Sequence, residues 1–277
     1  MIEGLLVVLR WAGVVLATVA SVAYIRGLAA AAGSTPATAT TSRYVFGAVV
    51  CFTGALLLRA FELGTVPLVT SFEALLFYAW LLLIVFLVLV RREAHRTMGA
   101  FLVPLATILA AFGAAFMAPP AQVSTLFHNR LFVLHTVSVF LGYSALSVAF
   151  CAGVMYLLLF DEIAHKKVGR MFARLPSLDD LDRLGHRTVQ LGFLLLTAGI
   201  IAGMVWARVE WDVVWVWEPK GIWTLLSWAV YLGYLLTRAY AGWQGQRAAW
   251  LAAIGFVLSV GTFLGTNLFF GSGRHLF

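Results

Sequence analysis

The sequence is poor in charged residues, and this excludes most soluble folds. Only 11% of its 277 residues are charged, whereas 62% are hydrophobic. A soluble domain carries about 25% charged and about 45–50% apolar residues. Because one soluble core cannot bury so much apolar surface, the composition predicts a protein that is embedded in a lipid bilayer.

The sequence also lacks the patterns of barrels and thiol redox proteins. Its apolar runs show no alternation of apolar and polar residues, so they do not predict a transmembrane β-barrel. Cys51 and Cys151 are its two cysteines, and neither belongs to a CxxC or CxxCH motif. This argues against a dithiol redox centre and against a c-type haem attached to this chain, and it predicts two small buried apolar side chains.

Eight apolar runs are long enough to cross a bilayer as helices, since about 20 residues span roughly 30 Å of hydrocarbon. The runs lie near 5–25, 44–63, 73–90, 98–118, 132–160, 189–207, 222–240 and 249–270. The connections between them, including a long loop at 161–188, show no repeat and no separate soluble domain. We therefore expect an all-α polytopic membrane protein with a single integral membrane domain over residues 1–277, and no nucleic-acid partner.

The basic residues predict how the chain is oriented in a plasma or thylakoid-type membrane. Twelve Lys and Arg residues fall in the loops on one side of the eight spans and five on the other. Because cytoplasmic loops are enriched in Lys and Arg, the first side is predicted to be cytoplasmic and both termini to lie outside. By parity, His135, residues 206–223 and His275 then share the outer face.

Residues 206–223 form a tryptophan segment that is the most distinctive feature of the sequence. Six of the ten tryptophans lie between 206 and 228, more than an interfacial aromatic belt requires. The indoles of the segment belong to Trp206, Trp211, Trp215, Trp217 and Trp223. Charged residues are interleaved with them, and Pro219 prevents one continuous helix. Such a surface suits a flat, amphiphilic ligand with carboxylates; haem fits this description, and quinones or lipids fit it less fully.

Two histidines on the predicted outer face add the iron ligands that haem needs. His135 lies at the outer end of the fifth span, and His275 lies in the C-terminal tail. Each alone is typical of a structural or solvated histidine, and His128 is a competing candidate. Together, two neutral imidazoles from different segments are what a six-coordinate haem iron requires.

The tryptophan segment resembles, without gaps, the WWD segment of the cytochrome c assembly family, whose usual form is close to WAxxxWGxxWxWDPKExW. Leu134-His135 with Gly142-Tyr143 resembles the family's first external histidine helix, and Gly265-Thr-Asn267-Leu268 followed by His275 resembles its last span. The likeness covers most of residues 60–277. The chain is thereby similar to CcsA-like (ResC-like) haem proteins of the System II cytochrome c pathway.

This resemblance implies a ligand, partners and a reaction. Haem b would be held between His135 and His275, with the tryptophans, Glu218 and Pro219 around the macrocycle. Lys220 or Arg208 would bind the haem propionates through charge-assisted bonds. A CcsB-like (ResB-like) membrane partner and an apocytochrome c with a CxxCH motif are expected, and the protein would be a subunit of a haem–apocytochrome c ligase.

Four positions in and after the tryptophan segment depart from the family pattern. Asp212, Glu218 and Gly221 replace the usual Gly, Asp and Glu, and Leu236 stands where synthases often carry an intramembrane histidine. These departures leave open a HemX-like membrane regulator of haem biosynthesis, which would form no thioether bonds. A lipid or quinone transporter, in which the tryptophans form only an interfacial belt, is a third possibility.

Overall fold

The computed structural model describes residues 2–29, 39–91, 93–116, 129–166, 169 and 174–261. Within these ranges the chain forms eight α-helices, no strand, and a 3₁₀ helix at Glu93–Met98. The helices are α1 Ile2–Ala29, α2 Ala39–Leu63, α3 Ser71–Leu89, α4 Gly99–Phe116, α5 Arg130–Ala164, α6 Leu178–Trp211, α7 Pro219–Tyr240 and α8 Gln246–Val260.

Six of the described helices, α1 to α6, are long and apolar enough to cross a membrane. This confirms the predicted all-α polytopic membrane protein. The described part of α8 has 15 residues, and α7 has 22 residues that include Lys220 and Arg238. The count of eight spans, the orientation that depends on it, and the single membrane domain over 1–277 stay predictions.

Helix α6 corrects the predicted loop at 161–188, because the helix begins directly after Ser177. The Ser177 hydroxyl accepts the Asp180 N–H at 3.1 Å, which caps the first turn. Arg183 then forms ion pairs of 2.6 and 2.7 Å with Asp179 and Asp180. The sequence predicts a loop because hydropathy detects only the apolar part of a helix. The polar first turns extend α6 to 34 residues, or about 50 Å.

The chain divides into two compact units. The first contains α1 to α4, in which α1 packs on α2 and α4, and α3 packs on α2 and α4. Helices α3 and α4 approach closely at Gly113, where a Cβ atom would lie 2.8 Å from the Phe72 carbonyl oxygen. A hydrogen bond of 2.8 Å between Ser21 and Thr107 joins α1 to α4.

A buried ion pair connects α2 to the start of α3 in this unit. Arg59 Nε donates to Glu73 Oε1 at 2.7 Å, and the two side chains are 4% and 0% exposed. The second carboxylate oxygen of Glu73 accepts the N–H groups of Val69 and Thr70 at 2.9 and 3.1 Å. Because a buried charge is costly unless it is paired and hydrogen-bonded, these contacts are what make the Glu73 carboxylate tolerable there.

Arg59→Ala is therefore expected to lower the free energy of unfolding by about 3–5 kcal/mol, since it leaves the Glu73 carboxylate buried and unpaired. The measurement is the midpoint of thermal unfolding of the purified protein in detergent. Arg43→Ala is the matched control, because Arg43 is an exposed arginine of the same helix. Equal midpoints for the two variants would contradict a structural role of the pair.

The second unit contains most of α5 together with α6, α7 and α8. Glycines allow the backbones of α5 and α6 to touch: a Cβ on Gly142 would lie 3.0 Å from the Leu196 nitrogen and 3.1 Å from the Gly192 oxygen. Farther along, a Cβ on Gly199 would lie 3.1 Å from the Val139 nitrogen. Small residues at such crossings are typical of helices packed in membranes.

An aspartate joins three helices at the other end of this unit. Asp182, near the start of α6, accepts two hydrogen bonds from the Arg238 guanidinium of α7, one of them 2.9 Å long. It also accepts the Gly245 N–H, just before α8, at 2.9 Å. Gly245 has a φ of 64°, and a Cβ there would lie 2.5 Å from the Tyr156 hydroxyl. The bidentate pair and the glycine turn fix where α7 ends and α8 begins.

Candidate functional site

His135 lies in the second turn of α5, and its ring packs against α6. The Nδ1 atom is 2.7 Å from the carbonyl oxygen of Gly199. Because a carbonyl oxygen only accepts hydrogen bonds, Nδ1 carries the proton, and in the neutral ring Nε2 carries the lone pair. Histidines that bind metals usually donate their other N–H to an oxygen in this way, which orients the ring and makes the binding nitrogen more basic.

Gly203 provides the space for the His135 ring on the surface of α6. A Cβ atom at Gly203 would lie 2.6 Å from Nδ1 and 2.8 Å from Cε1 of His135. One turn farther along α6, the ring of Trp206 lies nearly parallel to the imidazole, with 6.4 Å between centroids and 16° between planes. The position of the imidazole is thus set by a backbone carbonyl, a glycine and an indole of α6.

The first group of tryptophans consists of Trp206, which lies beside this histidine, and Trp211, which contacts Trp206. Trp206 is 3% exposed and contacts Phe132 at 5.3 Å and Trp211 at 4.8 Å between ring centroids. Its buried indole N–H has no acceptor among the described residues. Trp206 therefore supports the His135 ring from inside the unit and is not part of an open surface.

Helix α6 ends inside the tryptophan segment at Trp211, and the next residue, Asp212, has left-handed backbone angles (φ 56°, ψ 26°). Arg208 pairs with the Asp212 carboxylate at 2.9 Å and donates to the Asp212 carbonyl at 2.9 Å. Glycine reaches this backbone region without strain, and Asp tolerates it better than most residues. The replacement of the family's glycine by Asp212 therefore retains the turn.

A second group of tryptophans follows the turn. Trp215 and Trp217 are in edge contact, with 6.4 Å between centroids, and Trp217 is 75% exposed. The Trp215 indole N–H is buried without an acceptor in the described part of the chain. A Cβ at Gly221 would collide with the Val216 carbonyl oxygen and lie 3.3 Å from Trp215 Nε1. The glycine that replaces the family's Glu thus lets residues 215 and 216 approach the first turn of α7.

The remaining residues of the segment start helix α7. The Glu218 carbonyl accepts the Ile222 N–H at 3.1 Å, and Pro219 occupies the first helical position, where no N–H is needed. Lys220 is half-buried and precedes the apolar part of α7. Desolvation lowers the pKa of its ammonium group to about 8, although the nearby Glu218 carboxylate acts in the opposite direction. Trp223 packs toward the end of α8, where a Cβ on Gly261 would lie 3.5 Å from its ring.

The structure brings only part of the predicted site together. His135, Trp206 and Trp211 form one group, and Trp215 and Trp217 form another. His275 and the competing candidate His128 lie outside the described residues. Leu236 is 46% exposed, so the position where synthases often carry an intramembrane histidine faces away from the interior of its unit.

Sequence reasoning missed four contributors to the site. They are Asn129, Gly199, Gly203 and Glu210. The spacing of Gly199 and Gly203, four residues apart on one helix face, is a signal for close helix packing, but it does not identify His135 as the residue that packs there. The contact of Asn129 with Glu210 joins residues 81 positions apart and has no local signal in the sequence.

Comparisons with known proteins agree with the resemblance of the tryptophan segment. The sequence pattern of the cytochrome C assembly protein family matches residues 68–272. The cytochrome c biogenesis protein CcsA of Guillardia theta is 34% identical over 249 residues, which are 82% of this chain and 82% of that protein. CcsA of Parasynechococcus marenigrum is 32% identical over 249 residues, 80% of this chain and 81% of that protein.

A solved structure shares the fold. The cytochrome c haem lyase CcmF superposes with a TM-score of 0.63 at 18% identity, covering 94% of this chain. The chain spans 51% of the length of that protein. Since the family pattern covers most of the sequence and relatives above 30% identity align along most of their length, this chain belongs to the cytochrome c assembly protein family.

Proposed function

We propose that this protein binds haem b on the outer face of the membrane and presents it to an apocytochrome c during cytochrome c biogenesis. Membership in the cytochrome c assembly family supports the biogenesis role. The observation that carries haem binding is the hydrogen bond from His135 Nδ1 to the Gly199 carbonyl. It places the lone pair on Nε2, as an axial iron ligand requires.

His275 is the second proposed axial ligand. The parity of the predicted spans supports this assignment, because it puts the C-terminal tail on the same face as His135 and the tryptophan segment. Ligation by two imidazoles would protect the iron until the histidine of the apocytochrome's CxxCH motif replaces one of them.

The second tryptophan group is the proposed contact surface for the macrocycle edge. Trp217 is exposed, and the Trp215 N–H is a buried donor without an acceptor in the described residues. Lys220 and Arg208 are the two cations proposed for the propionates, and the Arg208 guanidinium is also bound to Asp212. A charge-assisted bond from Lys220 to a propionate would fix the rotation of the ring.

The proposed reaction adds the two CxxCH thiols of an apocytochrome to the two vinyl groups of haem. Each addition breaks the S–H bond and the double bond of the vinyl group and forms one C–S bond and one C–H bond, so no oxidant is consumed. The contribution of this chain, together with a CcsB-like (ResB-like) membrane partner, would be to hold haem in a fixed orientation toward the thiols.

Spectra and co-expression test this proposal. Protein purified from haem-producing cells is expected to show oxidised and reduced spectra of six-coordinate haem. Co-expression with the partner and a CxxCH apocytochrome is expected to yield haem that stays on the apocytochrome after denaturation, whereas an SxxSH variant yields none. A colourless protein would contradict haem binding. Bound haem without covalent product would instead support the HemX-like regulator.

Haem affinity is expected to fall as the pH rises above 8. In the haem-free protein Lys220 loses its proton near pH 8. A propionate beside it raises its pKa, so the bound state keeps the proton to higher pH. Binding is then strongest below pH 8 and weakens above it, by at most about tenfold per pH unit for one linked proton. Haem titrations at pH 7, 8 and 9 measure this, and Lys220→Arg should remove the dependence. The same pH profile in both proteins would contradict the role of Lys220.

A further inference from the structure

Asn129 contacts two parts of the second unit at once. It directly precedes α5, and its Oδ1 atom accepts the Leu131 N–H at 2.9 Å, which caps the helix. Its Nδ2 group donates to Glu210 Oε1 at 2.6 Å. The Leu131 N–H needs an oxygen acceptor, and the Glu210 carboxylate needs an N–H donor. These two partners therefore fix which way the Asn129 amide is oriented.

The Glu210 carboxylate stands where the helix itself disfavours it. Glu210 is the penultimate residue of α6, and the helix dipole makes a negative charge unfavourable at this end. The arginine in the same turn, Arg208, is bound to Asp212 and not to Glu210. Among the described contacts, the hydrogen bond from Asn129 is therefore the one that stabilises the Glu210 carboxylate at this end of the helix.

The bond joins the two elements that hold the imidazole. Asn129 lies six residues before His135, and Glu210 lies between Trp206 and Trp211. Trp206 is the indole that lies parallel to the His135 ring. A shift of the start of α5 relative to the end of α6 would change the distance between that indole and the imidazole.

We propose that Asn129 and Glu210 are a positioning pair that sets the His135 imidazole against α6. This inference rests on the proposed function, in which His135 binds the haem iron, and neither residue of the pair is itself a ligand. If the bond served only to cap α5, any good capping residue at position 129 would suffice. A positioning pair requires in addition an N–H that reaches residue 210.

Asn129→Asp separates the two roles. Aspartate caps a helix as well as asparagine does, and its charge is favourable at a helix N-terminus, so a capping role predicts unchanged or higher stability. It has no N–H, however, and it places a second carboxylate against Glu210. A positioning role therefore predicts that haem affinity falls by up to about tenfold, the lower end of the cost of losing a direct hydrogen-bond partner of a metal-binding histidine.

The double variant Asn129→Asp, Glu210→Gln supplies the rescue. Its Gln amide donates to the Asp carboxylate, which restores the bond with donor and acceptor exchanged. Glu210→Gln alone keeps an acceptor oxygen and serves as the conservative control. Haem affinity and the reduction potential of the bound haem are expected to change in Asn129→Asp and to return to near the wild-type values in the double variant.

The outcomes distinguish the pair from the haem site. If wild type binds haem and Asn129→Asp binds it equally well, or if the double variant shows no recovery, the positioning pair is overturned and the haem site stands. If wild type binds no haem, the proposed function is overturned, and the role of the pair with it. Unfolding midpoints of all four proteins show whether a loss of haem merely reflects a loss of folding.

Discussion

Replacement of His135 by alanine is expected to remove the six-coordinate haem spectrum and to weaken haem binding by more than about 100-fold, since loss of an outer partner of a metal-binding histidine already costs about 10–100-fold. The reason is geometric. Trp206 and the Gly199 carbonyl hold the imidazole in one tautomer and one orientation, and alanine leaves no nitrogen in that place. Oxidised and reduced spectra and haem titrations of the purified variant measure the loss.

Added imidazole should restore part of the spectrum of His135→Ala, because a free imidazole can occupy the position of the missing ring. His165→Ala is the matched control: His165 is an exposed histidine that directly follows the other end of α5. His275→Ala is expected to lose haem as His135→Ala does. A spectrum that neither substitution changes would rule out ligation by this pair of histidines.

The sequence predicts the membrane helices well but places their ends poorly. Apolar runs alone locate α1 to α5 to within a few residues, because lipid-facing segments have to be apolar along their whole length. The polar first turns of α6 escape this signal. Their helicity is stabilised by the Ser177 cap and by ion pairs of Arg183, polar contacts that a search for apolar runs does not detect.

The candidate site is predictable in its histidine and its tryptophans but not in their grouping. The density of tryptophans identifies residues 206–223, and His135 follows from its place in the fifth span. That Trp206 is 3% exposed and Trp217 is 75% exposed depends on where α6 ends, at Trp211. The partner of His135 is a backbone carbonyl, and every residue has one, so no sequence pattern singles out Gly199.

Gly203→Ala is expected to weaken haem binding by about 10–100-fold although it adds a single methyl group. The new Cβ would lie 2.6 Å from Nδ1 and 2.8 Å from Cε1 of His135, well inside van der Waals contact. The ring must rotate, or α5 must move away from α6, and either change breaks the hydrogen bond from Nδ1 to the Gly199 carbonyl. Haem titrations and the proportion of high-spin haem in the spectrum measure the displacement.

Stability and haem binding should respond differently to this substitution. Alanine is a better helix former than glycine by about 1 kcal/mol. That gain partly offsets the destabilisation caused by the steric clash, but it does not restore the position of the imidazole. Gly233→Ala in α7 is the matched control, because a Cβ at that position meets no atom within 4 Å. It should bind haem as wild type does and unfold at an equal or higher temperature. If Gly203→Ala and Gly233→Ala have the same haem affinity, close packing at Gly203 does not position His135. A methyl group beside the His135 ring would then have no more effect on haem binding than one that touches no other residue.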